Sequence, residues 1–366
     1  MRVSVGNAMV ACLGAFVAVA ADVPAQRGAS LPAQSTAAAD ATTRIVASAQ
    51  TFLGTLDEAG RARVRFPFDS PQKTRWSNLP TGPFTREGVR LGDLTQTQRA
   101  AAMALLSAAL SQDGYRKVVH IMRADETLRG PAAGQPPPGG GAAGGRGGRG
   151  GGGGGGVRFG EDEYYVSFVG APSVSAPWIL QFGGHHLAIN LTLAGPRATL
   201  APSHTGAQPA SYTFEGRTIR PLGNENDRAF ALMAALDSTQ RSQAVLGYRV
   251  SDLVLGPGQD GRTIQPEGLR ASALSASQQT MLMDIVREWA GIANDALAAP
   301  RMDEIRANLP QTYFAWSGPT TEGGAAYFRI QGPTLVIEYA PQRGVDHVHT
   351  IYRDPTNDYG AGFARH

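Results

Sequence analysis

The chain has 366 residues, of which 42% are hydrophobic, and its four Trp, ten Tyr and thirteen Phe can fill a core. This composition is typical of a globular protein and excludes a chain that is disordered throughout. The formal net charge is only +3, and no Lys or Arg block stands out in the regions predicted to fold, so we expect no nucleic-acid partner.

The N-terminal stretch predicts export. Arg2 precedes an apolar run from Ala8 to Ala20, which ends in the small-x-small sequence AVA. We interpret residues 1–20 as a cleaved signal peptide, because the run is too short and too rich in small residues for a good membrane span. We therefore expect a periplasmic or extracellular protein with no stable membrane anchor. The only cysteine, Cys12, lies in this segment, so the mature chain offers no thiol to a metal or a disulfide.

Helices are predicted in the first third of the chain. Residues 21–40 are small and polar and are expected to form a flexible leader, while apolar residues at helical spacing begin after Ala41. The clearest helical region reads LTQTQRAAAMALLSAALSQDGYRKVVHIMRADETL. Thr95 can cap it with Gln98 three residues later, and Gly114 is expected to end or bend it.

A Gly- and Pro-rich run at 130–160 interrupts this pattern. Nothing in it offsets the entropy cost of ordering, so we expect a disordered surface insert. Its GGRGGRGG segment is similar to an RNA-binding tract, but two arginines are too few for strong binding and a linker is the better interpretation. Apart from this insert, residues 41–366 are interpreted as a single domain.

The second half of the chain is rich in β signals. Strands are predicted in DEYYVSFVG, WILQFGGHHLAINLTLAG, AYFRIQGPTLVIEYAP and DHVHTIYRD, with Gly183 and Gly184 as a bulge or a close backbone approach. Helical spacing returns at 225–235 and 275–298. The predicted fold class is α+β, with N-terminal helices followed by a mainly antiparallel sheet that helices interrupt.

Four of the seven histidines fall in two short strand segments, which points to a metal site. On a strand, His347 and His349 share one face about 7 Å apart, so both imidazoles can reach one ion. His185 and His186 are adjacent and point to opposite faces of a regular strand, so one of them is expected to join the first pair. The pattern slightly favours His186, and His185 stays open.

Other polar side chains are candidates for the same site. Asp354 and Asp358 follow the His-x-His strand and could complete the metal shell, orient an imidazole or act as general base. Arg353 could neutralise an anionic substrate or pair with either Asp. Glu338 could face the site or pair with an Arg, and Trp316 could line the pocket or pack in the core, with packing the better interpretation. With no thiol, such a shell would suit zinc, iron(II) or manganese.

Two functions are compatible with these residues. Metal-assisted hydrolysis is the simplest chemistry for the site. The alternative is a non-catalytic protein that binds a small polar or anionic ligand and uses its histidines structurally, and the sequence leaves open whether the chain is an enzyme. The remaining candidate, His204, is expected to be solvated in a loop. The chain lacks a P-loop, a G-x-S-x-G motif and a dinucleotide-binding fingerprint, which disfavours the usual nucleotide and serine-hydrolase classes.

Several blocks of the sequence resemble the family called domain of unknown function 3500 (DUF 3500). The resemblance runs from about residue 45 to the C-terminus and skips the Gly-rich insert. It implies a single large α+β unit, often exported, with no established catalytic residues to transfer. The blocks that carry it are RWSNLP, LTQTQRAAAMALLSAALSQDGY, PWILQFGGHHLAIN, FAWSGP, YFRIQGPTLVIEY and HVHTIYRDPTNDYG.

Overall fold

Helices and strands both follow the order that the sequence predicts. A computed structural model describes Met1 and residues 31–129 and 156–363. Within these residues the α-helices are α1 (Leu31–Thr55), α2 (Glu58–Val64), α3 (Gln96–Ala109), α4 (Gln112–Thr127), α5 (Gly223–Ala235), α6 (Ser238–Ala244), α7 (Ala276–Ala290) and α8 (Asp295–Ala307). The strands are β1 (Arg65–Phe66), β2 (Val89–Arg90), β3 (Tyr165–Val169), β4 (Trp178–Gly183), β5 (Leu187–Ala194), β6 (Arg197–Thr199), β7 (Ser203–Ala207), β8 (Tyr212–Phe214), β9 (Arg217–Ile219), β10 (Leu269–Arg270), β11 (Tyr313–Ser317), β12 (Tyr327–Gly332), β13 (Leu335–Pro341) and β14 (Val348–Arg353).

One large sheet carries most of these strands. Its order is β1-β3-β4-β5-β7-β14-β13-β12-β11-β10, with β2 beside β3 and β6 beside β5, while β8 and β9 form a separate hairpin. Among the pairs of named strands within the described ranges, only β1–β3 is parallel. The predicted α+β class with a mainly antiparallel sheet is confirmed.

Local sequence signals explain where α3 and α4 begin and end. The hydroxyl of Thr95 accepts from the backbone of Gln98, and the Gln98 side chain accepts from the backbone of Thr95, so the predicted capping box is present. The predicted break at Gly114 is wrong, because the chain turns extended at Leu110 and α4 starts after Ser111. Gly114 instead allows a close approach, since a Cβ there would lie 2.3 Å from the carbonyl oxygen of Ile292.

The two faces of the sheet have different covers. On β14, Thr350 accepts a hydrogen bond of 2.8 Å from the indole of Trp289, so α7 packs on this face. The next residue, Ile351, points the other way and packs with Trp76, which lies in a loop, and Tyr359, which lies in the short 3-10 turn Asp358–Gly360. The helices therefore cover one face of the sheet, and loops cover the other over β14.

Some sequence predictions concern residues at the ends of the described ranges or outside them. Helix α1 begins at Leu31, so residues 31–40 of the expected leader are helical. The predicted signal peptide, beyond Met1, and most of the predicted insert lie outside the described residues. The end of that insert is described, and Arg158 forms a β-bridge with Thr81. In the described part of the chain, no helix combines the length and apolar character that a membrane crossing requires.

Candidate metal centre

The first pair of histidines lies in the tight turn between β4 and β5. The N–H of Gly184 donates to the carbonyl of Leu187 at 2.9 Å, so this segment is a hairpin turn and not a bulge. The alternative prediction of a close backbone approach is confirmed at Gly183, where a Cβ would lie 2.5 Å from the carbonyl oxygen of Leu187. The turn brings the rings of His185 and His186 to 3.8 Å between centroids, instead of placing them on opposite faces. Gly206 on β7 makes room for His186, because a Cβ there would lie 2.9 Å from its ring carbon Cδ2.

The sheet order brings the second pair to the first. Strand β7 pairs with both β5 and β14, so the start of β5 and the start of β14 lie at the same end of the sheet. His347 precedes β14 and His349 lies within it, and their ring centroids are 4.6 Å apart. The ring of His186 lies 5.0 Å from that of His347 and 5.6 Å from that of His349. All four predicted metal-binding histidines are therefore neighbours.

The ring nitrogens of these residues converge. Nε2 of His347 lies 3.0 Å from Nε2 of His186 and 3.0 Å from Nε2 of His349. One nitrogen from each of His185, His186 and His347 lies within 4.8 Å of the other two, so this group could hold a metal ion. Tetrahedral ligands at 2.0–2.1 Å from zinc are about 3.3 Å from one another, which is close to the shortest of these contacts.

A carboxylate that the sequence analysis missed holds one of the imidazoles. Oδ1 of Asp125 on α4 lies 2.5 Å from Nδ1 of His186, and Oδ2 accepts from the Tyr164 hydroxyl at 2.7 Å. Because the carboxylate accepts, His186 carries its proton on Nδ1 and presents the lone pair of Nε2 to its neighbours. A signal was present, since helical spacing places Asp125 on the same stripe as the buried Val118 and Ile121.

His204 is a fifth member of this group, and the expectation that it is solvated is wrong. It lies on β7, is fully buried, and donates from Nδ1 to the carbonyl of Thr350 at 2.7 Å. Its Nε2 is buried and makes no hydrogen bond within the described residues. Its ring lies 5.3 Å from that of His349 and stacks on Trp76. We call these five residues the histidine cluster: His185, His186, His204, His347 and His349.

Burial keeps the histidine cluster neutral. Burial, together with repulsion from neighbouring histidines, lowers the pKa of His185 to about 3 and that of His349 to about 2. Burial also lowers the pKa of His186, His204 and His347 below the ordinary value of 6.5. Neutral imidazole is the form that binds a metal ion, so no proton has to leave these rings at neutral pH.

The predicted carboxylates lie away from the histidine cluster. Asp354 is five residues beyond His349, about 16 Å along the strand at 3.3 Å per residue. Its Oδ2 lies 3.0 Å from the guanidinium of Arg301. Asp358 accepts from Arg353 at 2.7 Å. The structure does not bring either carboxylate to the metal-binding nitrogens, because residues at opposite ends of one strand cannot meet.

Arg353 likewise bonds to groups outside the histidine cluster. It is buried, and its three nitrogens donate to the carbonyls of Leu255 and Gly256 and to the carboxylates of Asp260 and Asp358. These bonds fasten the loop around residues 255–260 to β14. Arg353 therefore pairs with Asp358, which is the second of the two alternatives predicted from the sequence.

Glu338 and Trp316 have structural surroundings as well. Glu338 accepts from the hydroxyl of Tyr327 at 2.6 Å and from the backbone N–H of Leu255 at 2.8 Å, and burial raises its pKa. Trp316 is fully buried, with its ring 4.9 Å from that of Phe230. Neither side chain contacts the histidine cluster, so the ligand pocket expected from Trp316 and Arg353 does not form.

Loops border the histidine cluster on its accessible side. His347 and His185 are half-buried, and the ring of Phe159 lies 5.1 Å from that of His185. The side-chain amide of Asn78 lies 3.2 Å from Nδ1 of His349. Asn78 belongs to the segment RWSNLP, so part of that sequence block borders this site.

Comparison with known proteins places almost the whole chain in one group. The family model described as "Protein of unknown function (DUF3500)" matches residues 38–361, which confirms the resemblance noted in the sequence. No curated protein and no solved structure matches the chain.

Proposed function

Because this chain belongs to the DUF3500 family, whose description names no activity, we propose its function from the chemistry of its own histidine cluster. We infer that the protein binds one divalent transition-metal ion and uses it to hydrolyse a small molecule. His185, His186 and His347 are the proposed ligands, and His349 lies beside them.

The convergence of ring nitrogens is the observation that supports this proposal. Nε2 of His347 has two other Nε2 atoms at 3.0 Å, and a single ring proton is the most that this nitrogen can supply to them. His186 contributes a lone pair because its proton is held by Asp125. Lone pairs at this distance repel each other unless a cation or a shared proton lies between them, and a metal ion bound by His186 and His347 removes this repulsion for that pair.

The donor atoms favour zinc among the three ions predicted from the sequence. Manganese prefers carboxylate, carbonyl and water ligands, and non-haem iron(II) usually takes two histidines with one carboxylate. Asp354 and Asp358 lie elsewhere, and Asp125 contacts the ring of His186 rather than the group of nitrogens. Three imidazoles supported by a carboxylate behind one of them match a zinc centre.

Each residue has a separate task in this proposal. Bound zinc supplies a Lewis acid that lowers the pKa of water to near 7. Asp125 fixes the ring orientation and the tautomer of His186. His349, whose Nε2 is 3.0 Å from that of His347, positions the reacting water by a hydrogen bond. The half-buried side of His185 and His347 is where a small-molecule substrate enters.

Metal content tests the proposal directly. We would purify residues 21–366 without a His-tag and measure metals by elemental mass spectrometry in the wild type, His186→Ala, His347→Ala and His120→Ala. His120 is the matched control, because it is half-buried on α4 and lies outside the histidine cluster. We expect about one zinc per chain in the wild type and the control, and its loss from the other two folded variants.

A contrary result is equally clear. If the wild type holds no metal after incubation with zinc, iron(II), manganese and copper, the metal proposal fails. The close nitrogen contacts would then be hydrogen bonds that share protons, and the histidines would have a structural role.

Hydrolysis needs its own readout. We would assay the zinc-loaded protein with 4-nitrophenyl acetate and bis(4-nitrophenyl) phosphate, beside His349→Ala. A variant that keeps its zinc but loses about tenfold or more in rate supports the positioning role of His349. A variant that loses its zinc would make His349 a ligand, and a zinc-loaded wild type without activity would refute hydrolysis of these ester classes.

Export is part of the proposed function and rests on the sequence of residues 1–20. Expression of the full chain in a bacterium, followed by N-terminal sequencing of the periplasmic and culture fractions, tests it. We expect a mature protein that begins at Ala21. A chain that stays in the cytoplasm with an intact Met1 would contradict export.

A further inference from the structure

One pattern of sequence and structure occurs twice along the chain. The sequence EGVRLGDLTQTQ at 87–98 and the sequence EGLRASALSASQ at 267–278 agree at Glu, Gly, Arg, Leu and Gln. Each contains a two-residue strand, a short 3-10 turn and the start of a long helix with a capping box. Gly88 has a φ of +107° and Gly268 a φ of +96°, and a Cβ at either would lie 2.3 Å from a carbonyl oxygen of the neighbouring strand.

The correspondence extends over most of the described chain. Helices α1 to α4 correspond in order to α5 to α8, and β3, β4, β5 and β7 correspond to β11, β12, β13 and β14. The large sheet runs β3-β4-β5-β7 on one side of its centre and β14-β13-β12-β11 on the other. Two copies of one segment that meet through their last strands produce this reversed order. We call residues 31–207 the first half and residues 223–353 the second half.

The two halves pair with each other at the centre of the sheet. Strand β7 reads SHTGA and β14 reads VHTIYR, so both carry the dipeptide His-Thr. Thr205 lies opposite Thr350 in the antiparallel pair, and their hydroxyl oxygens are 2.7 Å apart. Identical residues that face each other in this way define a local twofold axis. His204 is therefore the counterpart of His349 in the other half, and their rings are 5.3 Å apart.

The helical layer shows the same symmetry. Ser111 is the N-cap of α4, and Asn294 is the N-cap of the corresponding helix α8. The N–H of Ser111 donates to the carbonyl of Ile292, and the N–H of Asn294 donates to the carbonyl of Ala109, both at 3.0 Å. Exchanging the halves turns one of these hydrogen bonds into the other, so a local twofold axis passes between them as well.

The histidine cluster takes its members from both halves. His185, His186 and His204 belong to the first half, while His347 and His349 belong to the second half. The β4–β5 turn, which carries His186, corresponds to the β12–β13 turn of the second half. A twofold axis therefore gives the cluster an equivalent position at the β12–β13 turn.

An arginine occupies that equivalent position. Thr334 precedes β13 as His186 precedes β5. Arg301 on α8 donates to the hydroxyl of Thr334 at 3.2 Å and to that of Tyr352 at 2.9 Å, and it lies 3.0 Å from Asp354. A guanidinium has no lone pair to give to a cation. The position at the β12–β13 turn is therefore filled by an ion pair and offers no metal site.

We infer that the chain is an internal duplication of one unit, and that the candidate metal centre lies between the two copies at one of two equivalent positions. His185 and His186 come from the first copy, and His347 comes from the second. The β8–β9 hairpin links the copies along the chain and lies outside the large sheet. That a metal ion joins the copies rests on the proposed function, whereas the duplication does not require a metal.

Two circular permutants of residues 21–366 test the duplication. One opens between Glu215 and Gly216 in the β8–β9 hairpin, and it therefore exchanges the order of the two copies. The control opens between Glu322 and Gly323 in the β11–β12 connection, inside the second copy. The two glycines are matched, because both are exposed, have φ of +73° and +80°, and have open space where a Cβ would lie.

The ends of the described chain are close enough to join. Ser35 and Phe363 line the same pocket, so both ends lie on one side of the molecule. Residues 364–366 and 21–30 connect them in both permutants and can span about 40 Å when extended. The same connection is present in the two proteins, so it cannot cause a difference between them.

We expect the Glu215/Gly216 permutant to melt within about 3 °C of the wild type, because each copy stays continuous. The control should melt about 6–12 °C lower, since β11 and β12 are then connected only through the rest of the chain and closing that long loop costs entropy. Circular dichroism gives the melting temperatures, and elemental mass spectrometry gives the metal content. The Glu215/Gly216 permutant should hold as much zinc as the wild type.

A Glu215/Gly216 permutant that does not fold, or two permutants with equal melting temperatures, would overturn the duplication. A folded Glu215/Gly216 permutant without zinc, beside a wild type that holds zinc, would overturn the placement of the site between the copies. If the wild type and the permutant both lack zinc, the proposed function fails, and the melting temperatures alone decide on the duplication.

Discussion

Replacing Asp125 with asparagine should weaken metal binding without unfolding the protein. The substitution keeps the shape of the side chain and an acceptor for the Tyr164 hydroxyl, but it removes the charge that faces His186 at 2.5 Å. An asparagine can also donate to Nδ1, which moves the ring proton to Nε2 and blocks the lone pair that a metal needs.

The magnitude follows from the type of contact. Changing a residue that orients a metal-binding histidine typically weakens metal affinity about 10- to 100-fold, or about 1.4–2.7 kcal/mol. A hydrogen bond to a charged group contributes about 1.5–3 kcal/mol, which gives the same range independently. The exposure of Asp125 is only 1% of the residue surface, so water cannot replace the lost contact.

Competition with a chromophoric zinc chelator measures this change. Asp113→Asn is the matched control, because Asp113 lies on the same helix with 82% of its side chain exposed and pairs only with Arg116 in the described part of the chain. We expect wild-type zinc affinity in the control. A folded Asp125→Asn protein whose zinc affinity stays within threefold of the wild type would refute the orienting role of Asp125.

Three further predictions concern the stability of the fold. Lys117→Met leaves the fully buried carboxylate of Glu225 on α5 without the ammonium that lies 2.6 Å from it. The free energy of unfolding measured with urea should fall by about 3–5 kcal/mol, whereas the exposed control Arg116→Met should lose less than about 0.5 kcal/mol. Gly206→Ala places a Cβ 2.9 Å from the ring of His186, so this variant should be less stable by about 1–3 kcal/mol and should hold less zinc. Gly247→Ala is the control, because a Cβ at Gly247 meets no atom within 4 Å and should change neither stability nor zinc content. A hydrogen bond from the guanidinium of Arg129 lowers the pKa of Asp162 below its ordinary value of 3.8. Asp162→Asn should therefore be less stable than the wild type at pH 7 by up to about 1 kcal/mol. This difference in stability should vanish as the pH falls below 3.8 and Asp162 of the wild type becomes protonated. A stability difference between Asp162→Asn and the wild type that increases as the pH falls would contradict this prediction.

Local patterns predicted much of the secondary structure because their signals lie within a few residues. The capping box at Thr95 and the apolar stripe of Leu282, Ile285, Val286 and Trp289 each involve neighbours along one helix. The hairpin of β12 and β13 was predicted in the same way. The end of α3 was misplaced because Gly114 serves contact with Ile292, a partner distant in sequence.

The sequence predicted that histidines and a carboxylate form the candidate site, but it identified only some of the residues that lie there. The four histidines come together because β7 lies between β5 and β14, an order that no local pattern specifies. Asp125 and His204 were missed for the same reason, since Asp125 meets His186 across 61 positions of the chain. His204 looked like a loop residue, yet its strand is enclosed on both sides by other strands.

The sequence by itself determined the fold class, the main helices and strands, and the concentration of histidines in two segments without thiols. Periodicity, capping and composition act over short distances along the chain, so they can be read from it directly. Only the tertiary structure decided which charged side chains are paired with each other and which contact the candidate site, because the partners of a buried charge come from distant parts of the chain. Arg353, Asp354 and Asp358 are paired with groups brought from elsewhere, whereas Asp125 contacts His186 of the histidine cluster.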